Sequence, residues 1–313
     1  MKKLIVAKNL GFCFGVKRTV EMAEKLLEKT GTLYSIGDIV HNPIVIEKLK
    51  EKGLKVVESE EEIEKVPFII RSHGLGMKKL EKLKKREVKI YDATCPFVKR
   101  VHQLIKKLDR ENYFIIIIGN KFHPEIKALR EYGSKCIVFE NFKSLPKLKF
   151  SKIAVVGQTT LSFFKYMEIV EKLIERLKFE EILVYNTICK VTEERQKEAE
   201  EISRKVDLML ILGGKKSSNT KKLFEICKKN NKKSFHIEKL EELKNKTTGE
   251  DKKEIQQILQ SIHPEREKEA VISALQIPWG DWSRIYRVRG VFRAINFIEG
   301  LLHESNTNPN IIY

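Results

Sequence analysis

The chain has 313 residues, 42% of them hydrophobic, and a formal net charge of +18. That length allows two or three domains of about 100–150 residues. No stretch reaches the ~18 consecutive apolar residues of a membrane span, and Met1–Lys17 lacks the apolar core and cleavage site of a secretory signal. A cytoplasmic protein without a membrane partner is therefore expected. Its five cysteines read as thiols or metal ligands rather than a disulfide framework. The charge suggests an acidic partner or an anionic ligand, with a Lys-rich solvated surface as the alternative.

In chain order, strands are expected at Lys3–Ala7, Thr32–Ile36, Pro67–Arg71, Val88–Tyr91, Tyr113–Ile118, Lys152–Val156, Ile182–Tyr185 and Leu208–Leu212. Their unbroken apolar character fits parallel strands covered on both faces. Between them lie helical stripes, such as Val16, Val20, Ala23, Leu26 and Leu27, and Phe164, Met167, Val170, Leu173 and Leu177. This alternation predicts an α/β fold built of βαβ units with mainly parallel sheets. Apolar runs ending in cysteine recur three times, at Lys3–Cys13, Val88–Cys95 and Glu181–Cys189, which suggests three small α/β domains over 1–95, 96–188 and 189–280. Regular patterning fades after about residue 244, with a helix-like piece at Ile255–Ile262 and a short strand at Val271–Ala274. Residues 281–313 read as a divergent, poorly ordered tail.

Chemistry in parallel α/β folds collects at the carboxyl ends of strands. Cys13, Cys95 and Cys189 all fall there, beside Gly11, Gly15 or Pro96. No CxxC pair is present, which argues against a zinc ribbon. Three thiolates suffice to hold a cubane iron–sulfur cluster with one iron left open; three unrelated buried thiols are the alternative. His41 (HNP), His73 (SHG) and His123 (HPE) also follow strands, and imidazoles there bind phosphate oxygens. Glu125 is a general-acid candidate if burial raises its pKa, or else a glutamate favoured by a helix N-terminus. Gly213–Asn219 (GGKKSSN) lies between a strand and a helix and forms an anion-binding candidate, with Ser217, Ser218 and Asn219 as donors. It is not a Walker A loop. Gln158-Thr159-Thr160 is a weaker polar loop of the same kind.

Taken together, GFCFGV, HN, SHG, DATCP, HPE, QTTLS, TIC…RQ and SSN resemble, in order and spacing, the LytB-type 4-hydroxy-3-methylbut-2-enyl diphosphate reductases over residues 1 to about 244. The resemblance implies three α/β domains arranged pseudo-threefold around a central 4Fe–4S cluster held by Cys13, Cys95 and Cys189. It implies a diphosphate bound by His41, His73, His123, Ser217, Ser218 and Asn219, with Glu125 and His123 at the proton-transfer site and Thr159 placing the substrate hydroxyl. The implied reaction is a two-electron reductive dehydroxylation yielding isopentenyl and dimethylallyl diphosphates, the last step of the methylerythritol phosphate route. Ferredoxin or flavodoxin would serve as the acidic electron donor.

The family's C-terminal AGAS-x-P turn has no counterpart here. The nearest string is Val271–Pro278, where Ser273 stands in for the diphosphate-binding serine. This departure opens a second reading, an inactive or weakly active relative. A nucleic-acid-binding protein, prompted by the net charge and Arg284–Arg289, is disfavoured because Tyr286 alone interleaves that basic run.

Overall fold

In the computed structural model, the structure describes residues 5–64, 66–140, 151–238 and 242, together with the backbone of 285–289. The chain divides into two compact units. The first comprises Met1–Ser72, Leu83–Cys95 and Cys189–Trp279; the second comprises His73–Lys82, Pro96–Ile188 and Gly280–Tyr313. The expected segments Ile255–Ile262 and Val271–Ala274, and Ser273 itself, lie outside the described residues.

The first unit contains two parallel sheets. The larger has the order β2-β1-β3-β4, formed by β1 (Leu33–Ile36), β2 (Leu54–Val57), β3 (Phe68–Ile70) and β4 (Ile90–Asp92). Helix α1 (Phe14–Thr30) packs a buried stripe of Gly15, Thr19, Ala23, Leu26 and Leu27. It stops at Gly31, whose left-handed φ of 68° lets its N–H return to the Leu27 carbonyl. Helix α2 (Pro43–Glu51) starts at Asn42, whose side chain accepts from the Val45 N–H at 3.2 Å, with proline at the first helical position. The smaller sheet pairs β9 (Met209–Leu212) with β10 (Ser234–Ile237) beside α7 (Lys190–Ser203) and α8 (Ser218–Asn230), around Ala199, Ile211 and Cys227.

The second unit carries a five-stranded sheet of order β11-β8-β7-β5-β6. Strands β5 (Phe114–Ile118), β6 (Cys136–Phe139), β7 (Lys152–Gly157) and β8 (Glu181–Tyr185) are parallel; β11 (Ile285–Arg289) is antiparallel to β8. Ile115–Ile118 and Ile153–Val156 are all buried, because core clusters cover both sheet faces. One face receives α6 (Phe163–Arg176) through Tyr166, Met167, Val170, Leu173 and Ile174; the other receives α4 (Pro96–Arg110) and α5 (Pro124–Leu129). Helix α3 (Met77–Lys85) runs from the second unit into the first.

Two expectations are corrected. Residues 5–7 form no strand; Ile5 and Val6 are exposed and the chain runs irregularly to Cys13. The basic run expected in a loose tail contributes its backbone to β11. Among the described residues no helix is long and apolar enough to cross a membrane.

Candidate active site

In an open parallel sheet, adjacent strands whose connections leave in opposite directions open a crevice at their carboxyl ends. In the larger sheet of the first unit that point lies between β1 and β3, and in the second unit between β5 and β7. The candidate residues lie after strands and at the N-termini of five helices, α1, α4, α5, α7 and α8.

Cys13 and Cys189 occupy the N-cap positions of α1 and α7, and Cys95 immediately precedes α4. All three cysteines belong to the first unit. Cys95 meets the start of α1 closely: a Cβ on Gly15 would fall 2.5 Å from its sulfur. That approach is fixed by Arg18, which donates to the Asp92 and Thr94 carbonyls, and by Thr19, which donates to Ala93 O at 3.0 Å. Cys95 N–H in turn donates to Ser72 O at 2.9 Å. Burial pushes the Cys189 thiol above its usual pKa, opposed by the Thr192 N–H bonded to its sulfur and reinforced by the nearby Cys13. A buried thiol of this kind ionises fully when it binds a metal, and helix N-termini favour the thiolate. The donor set therefore fits a thiolate-bound iron centre.

His41 follows β1, one of the two strands that flank the switch point. Burial first, then Arg71, hold its imidazole down at about 4, against the pull of Asp38. Arg71, just beyond β3, is half-buried and packs over Gly37, whose φ of 67° needs glycine. The β9–α8 loop closes on the same place: a Cβ on Gly214 would fall 2.1 Å from the His41 carbonyl oxygen. Ser217 caps α8, accepting from the Thr220 N–H at 3.3 Å, with Ser218 and Asn219 in the first turn. Among the described residues, Asn219 Oδ1 is buried with no hydrogen-bond partner. Turning that amide over would aim Nδ2 as a donor at the same spot, as a bound anion requires.

In the second unit His73 and His123 meet edge-on, with ring centroids 5.3 Å apart. His123 caps α5: its Nδ1 accepts from the Glu125 N–H at 3.2 Å, which leaves Nε2 to carry the ring proton. At the β5–β7 switch point Glu125 is 1% exposed. Its carboxylate accepts from the Thr159 N–H at 2.8 Å and from the Thr159 hydroxyl at 2.9 Å. Burial outweighs those two bonds and raises Glu125 to about 7. Gln158 fixes the surroundings: its N–H donates to Ile118 O, and its Oε1 accepts from the Asn120 N–H at 3.1 Å.

The first unit thus contains Cys13, Cys95 and Cys189, and brings His41 together with the loop of Ser217, Ser218 and Asn219; the second brings His73 against His123 and Glu125 against Thr159. Arg71 is the addition that sequence reading lacked. It was read as the last residue of the expected strand Pro67–Arg71, but nothing in the sequence shows which way a guanidinium turns.

A chain that collects three thiols at helix N-termini, and keeps one carboxyl protonatable near neutrality, has the makings of an α/β metal-dependent oxidoreductase. Comparison with known proteins narrows that class. The LytB protein family model matches residues 4–272, and the chain belongs to that family, which makes it an iron–sulfur oxidoreductase. The match carries the family likeness past residue 244, where the sequence motifs alone ended it. A 4-hydroxy-3-methylbut-2-enyl diphosphate reductase from Caldanaerobacter subterraneus is 42% identical over 249 residues, covering 77% of this chain and 85% of that protein. The Aquifex aeolicus enzyme of the same name is 41% identical over 249 residues, covering 78% and 86%. Among solved structures, the (E)-4-hydroxy-3-methyl-but-2-enyl diphosphate reductase described as the terminal enzyme of the non-mevalonate pathway superposes with a TM-score of 0.60 at 35% identity, covering 87% of this chain and 98% of that one. The corresponding Plasmodium falciparum reductase gives 0.68 at 26% identity, covering 95% and 96%.

Proposed function

We propose that this protein is a 4-hydroxy-3-methylbut-2-enyl diphosphate reductase. It takes up two electrons and two protons, releases the allylic hydroxyl as water and yields isopentenyl or dimethylallyl diphosphate. The observation that carries this reading is the placement of Cys13, Cys95 and Cys189 in one unit, each at or next to a helix N-terminus, with Cys13 near the Cys189 thiol. These three would hold a 4Fe–4S cluster, which when bound supplies the electrons and a Lewis-acid iron for the hydroxyl.

The chain's own residues supply the rest. His41, Ser217, Ser218 and Asn219 bind diphosphate oxygens, the serines and asparagine with the help of the α8 N-terminus. His73 and His123 add imidazole donors, His123 through Nε2–H. Glu125, protonated below about pH 7, delivers the proton to the leaving hydroxyl. Thr159 holds that carboxyl and orients the hydroxyl. Ser273 would complete the diphosphate contacts. A small acidic carrier, ferredoxin or flavodoxin, supplies electrons in the cytoplasm, steered by the basic chain at low salt. Three α/β domains, over 1–95, 96–188 and 189–280, would carry these parts.

Anaerobic iron and sulfide analysis with an electronic spectrum, on the parent and on Cys13→Ala, Cys95→Ala and Cys189→Ala, tests the reading. About four irons per parent chain and substantial loss in each variant are expected, with product formed from the diphosphate and a reduced viologen. Variants that keep the parent's iron would overturn it. The weakly active reading draws on one observation, that the family match ends at residue 272, next to Ser273. A normal cluster spectrum without product would favour it.

A further inference from the structure

The segment that delivers Cys13 makes its cross-chain bonds to α7, the helix that begins at Cys189. Residues 5–13 form neither strand nor helix, so no regular backbone ladder holds them. Glu198 supplies partners there: its carboxylate accepts from the Lys8 N–H, from the Asn9 N–H at 3.1 Å and from Asn9 Nδ2 at 3.2 Å. Arg195, one turn earlier on α7, donates to Gly11 O at 2.9 Å. Residues three apart are neighbours on a helix surface, so Cys189, Thr192, Arg195 and Glu198 form a continuous ladder. Thr192 bonds the Cys189 sulfur, Arg195 holds the chain two residues before Cys13, and Glu198 brackets it four to five residues before.

We infer that Arg195 and Glu198 are positioning residues for the metal centre: through them a single helix registers the Cys13 thiol against the Cys189 thiol. This rests on the reading of the cysteines as cluster ligands. Two features give this partly exposed contact a positioning geometry. Each bond is charge-assisted, with a carboxylate accepting three donors or a guanidinium meeting a carbonyl, and such bonds are shorter and stronger than neutral ones. The grip also has two ends: Glu198 holds donors and Arg195 holds an acceptor, which fixes both the height and the direction of the strap. The Cys95 side needs no such device, because Arg18 and Thr19 tie α1 directly to the backbone before Cys95. The cluster's three ligands would thus be set by two clamps, one in α1 and one in α7.

The test uses the full-length chain loaded with iron and sulfide under anaerobic conditions: the parent, Glu198→Ala, Glu198→Gln, Arg195→Ala and, as a control on the same helix, Glu200→Gln. Among the described residues, the Glu200 side chain pairs with Arg204. Hydrogen exchange at residues 5–13, the rate of iron loss to a chelator, and the midpoint potential with the reduced-state magnetic spectrum are measured. Glu198→Ala and Arg195→Ala should exchange at least tenfold faster in that segment, lose iron at least fivefold faster and shift the potential, at an unchanged melting temperature. Glu198→Gln, which keeps acceptor oxygen, should recover part of each effect, and Glu200→Gln should match the parent. Parent-like exchange and iron retention in both alanine variants, against an iron-loaded parent, would overturn the strap alone. A parent that takes up no iron would overturn the cluster reading and the role assigned here with it.

Discussion

Thr159 holds both oxygens of the Glu125 carboxylate, one through its N–H at 2.8 Å and one through its hydroxyl at 2.9 Å, yet Glu125 stays protonatable up to about pH 7. Two hydrogen bonds to the anion should lower a carboxyl pKa. Complete burial between β5 and β7 overrides them. The pair is therefore a tuned acid: desolvation keeps the proton on, and Thr159 keeps it from being held too tightly.

The pH profile should report this balance. Turnover is expected to fall above about pH 7 as Glu125 ionises, and Glu125→Gln should lower kcat by a hundredfold or more. Thr159→Val removes a bond that favours the anion, so the alkaline limb should move to higher pH while kcat falls. A limb that stays in place in Thr159→Val would count against Glu125 as its source.

Stability follows with a definite sign. Between its ordinary 4.5 and about 7, Glu125 holds a proton in the folded chain and not in the unfolded one. Stability contributed by the protonated form is therefore present below pH 4.5 and lost as pH rises through 7, by roughly 3 kcal/mol in all. His41 acts oppositely: its pKa lies at about 4, below the ordinary 6.5, so the unfolded chain binds more protons in that window and stability falls as pH drops from 6.5 to 4. Denaturant midpoints across pH 4–8 should show Glu125→Gln flattening the neutral side and His41→Gln flattening the acid side.

The central strands were the most legible part of the fold. Ile115–Ile118 and Ile153–Val156 are buried on both faces, so their sequence is continuously apolar and admits few other readings. Besides β11, three strands escaped notice, Leu54–Val57, Cys136–Phe139 and Ser234–Ile237; each is four residues long with partly exposed positions. Lys3–Ala7 misled for the opposite reason. Its apolar run looks like a strand, but the chain beyond it bonds to the Glu198 side chain, and no local pattern encodes a carboxylate 190 residues away. The candidate site residues were chosen as residue types at strand ends. How β1–β3 and β5–β7 sort them was not readable, because strand order depends on pairings between distant segments.

The loop carrying Ser217, Ser218 and Asn219 tolerates no side chain at Gly214. A Cβ there would fall 2.1 Å from the His41 carbonyl oxygen, and that oxygen belongs to backbone just ahead of the α2 cap. Gly214→Ala should separate the loop from His41. The expected outcome is at least tenfold weaker binding of inorganic diphosphate by calorimetry, at an unchanged iron content. Parent-like affinity would show that the loop and His41 do not act on one anion.

Gly15 offers the sharpest mutational test, because two effects of opposite sign compete there. Gly15 lies in the first turn of α1, where replacing glycine by alanine ordinarily stabilises a helix by up to about 1 kcal/mol. Here the added methyl would sit 2.5 Å from the Cys95 sulfur and 3.0 Å from its Cβ. Neither partner can retreat easily: Cys95 is held by its N–H bond to Ser72 O, and α1 by Arg18 and Thr19 on the Asp92–Thr94 backbone. Overpacking of this kind costs about 1–3 kcal/mol, so the net change should be destabilising. The sulfur would also turn away from its present direction, and iron content should drop to less than half of the parent's. Glu21→Ala, on the exposed side of the same helix, should change neither quantity appreciably. A Gly15→Ala chain that gains stability and keeps its iron would mean that α1 and Cys95 are not held as closely as Arg18 and Thr19 require.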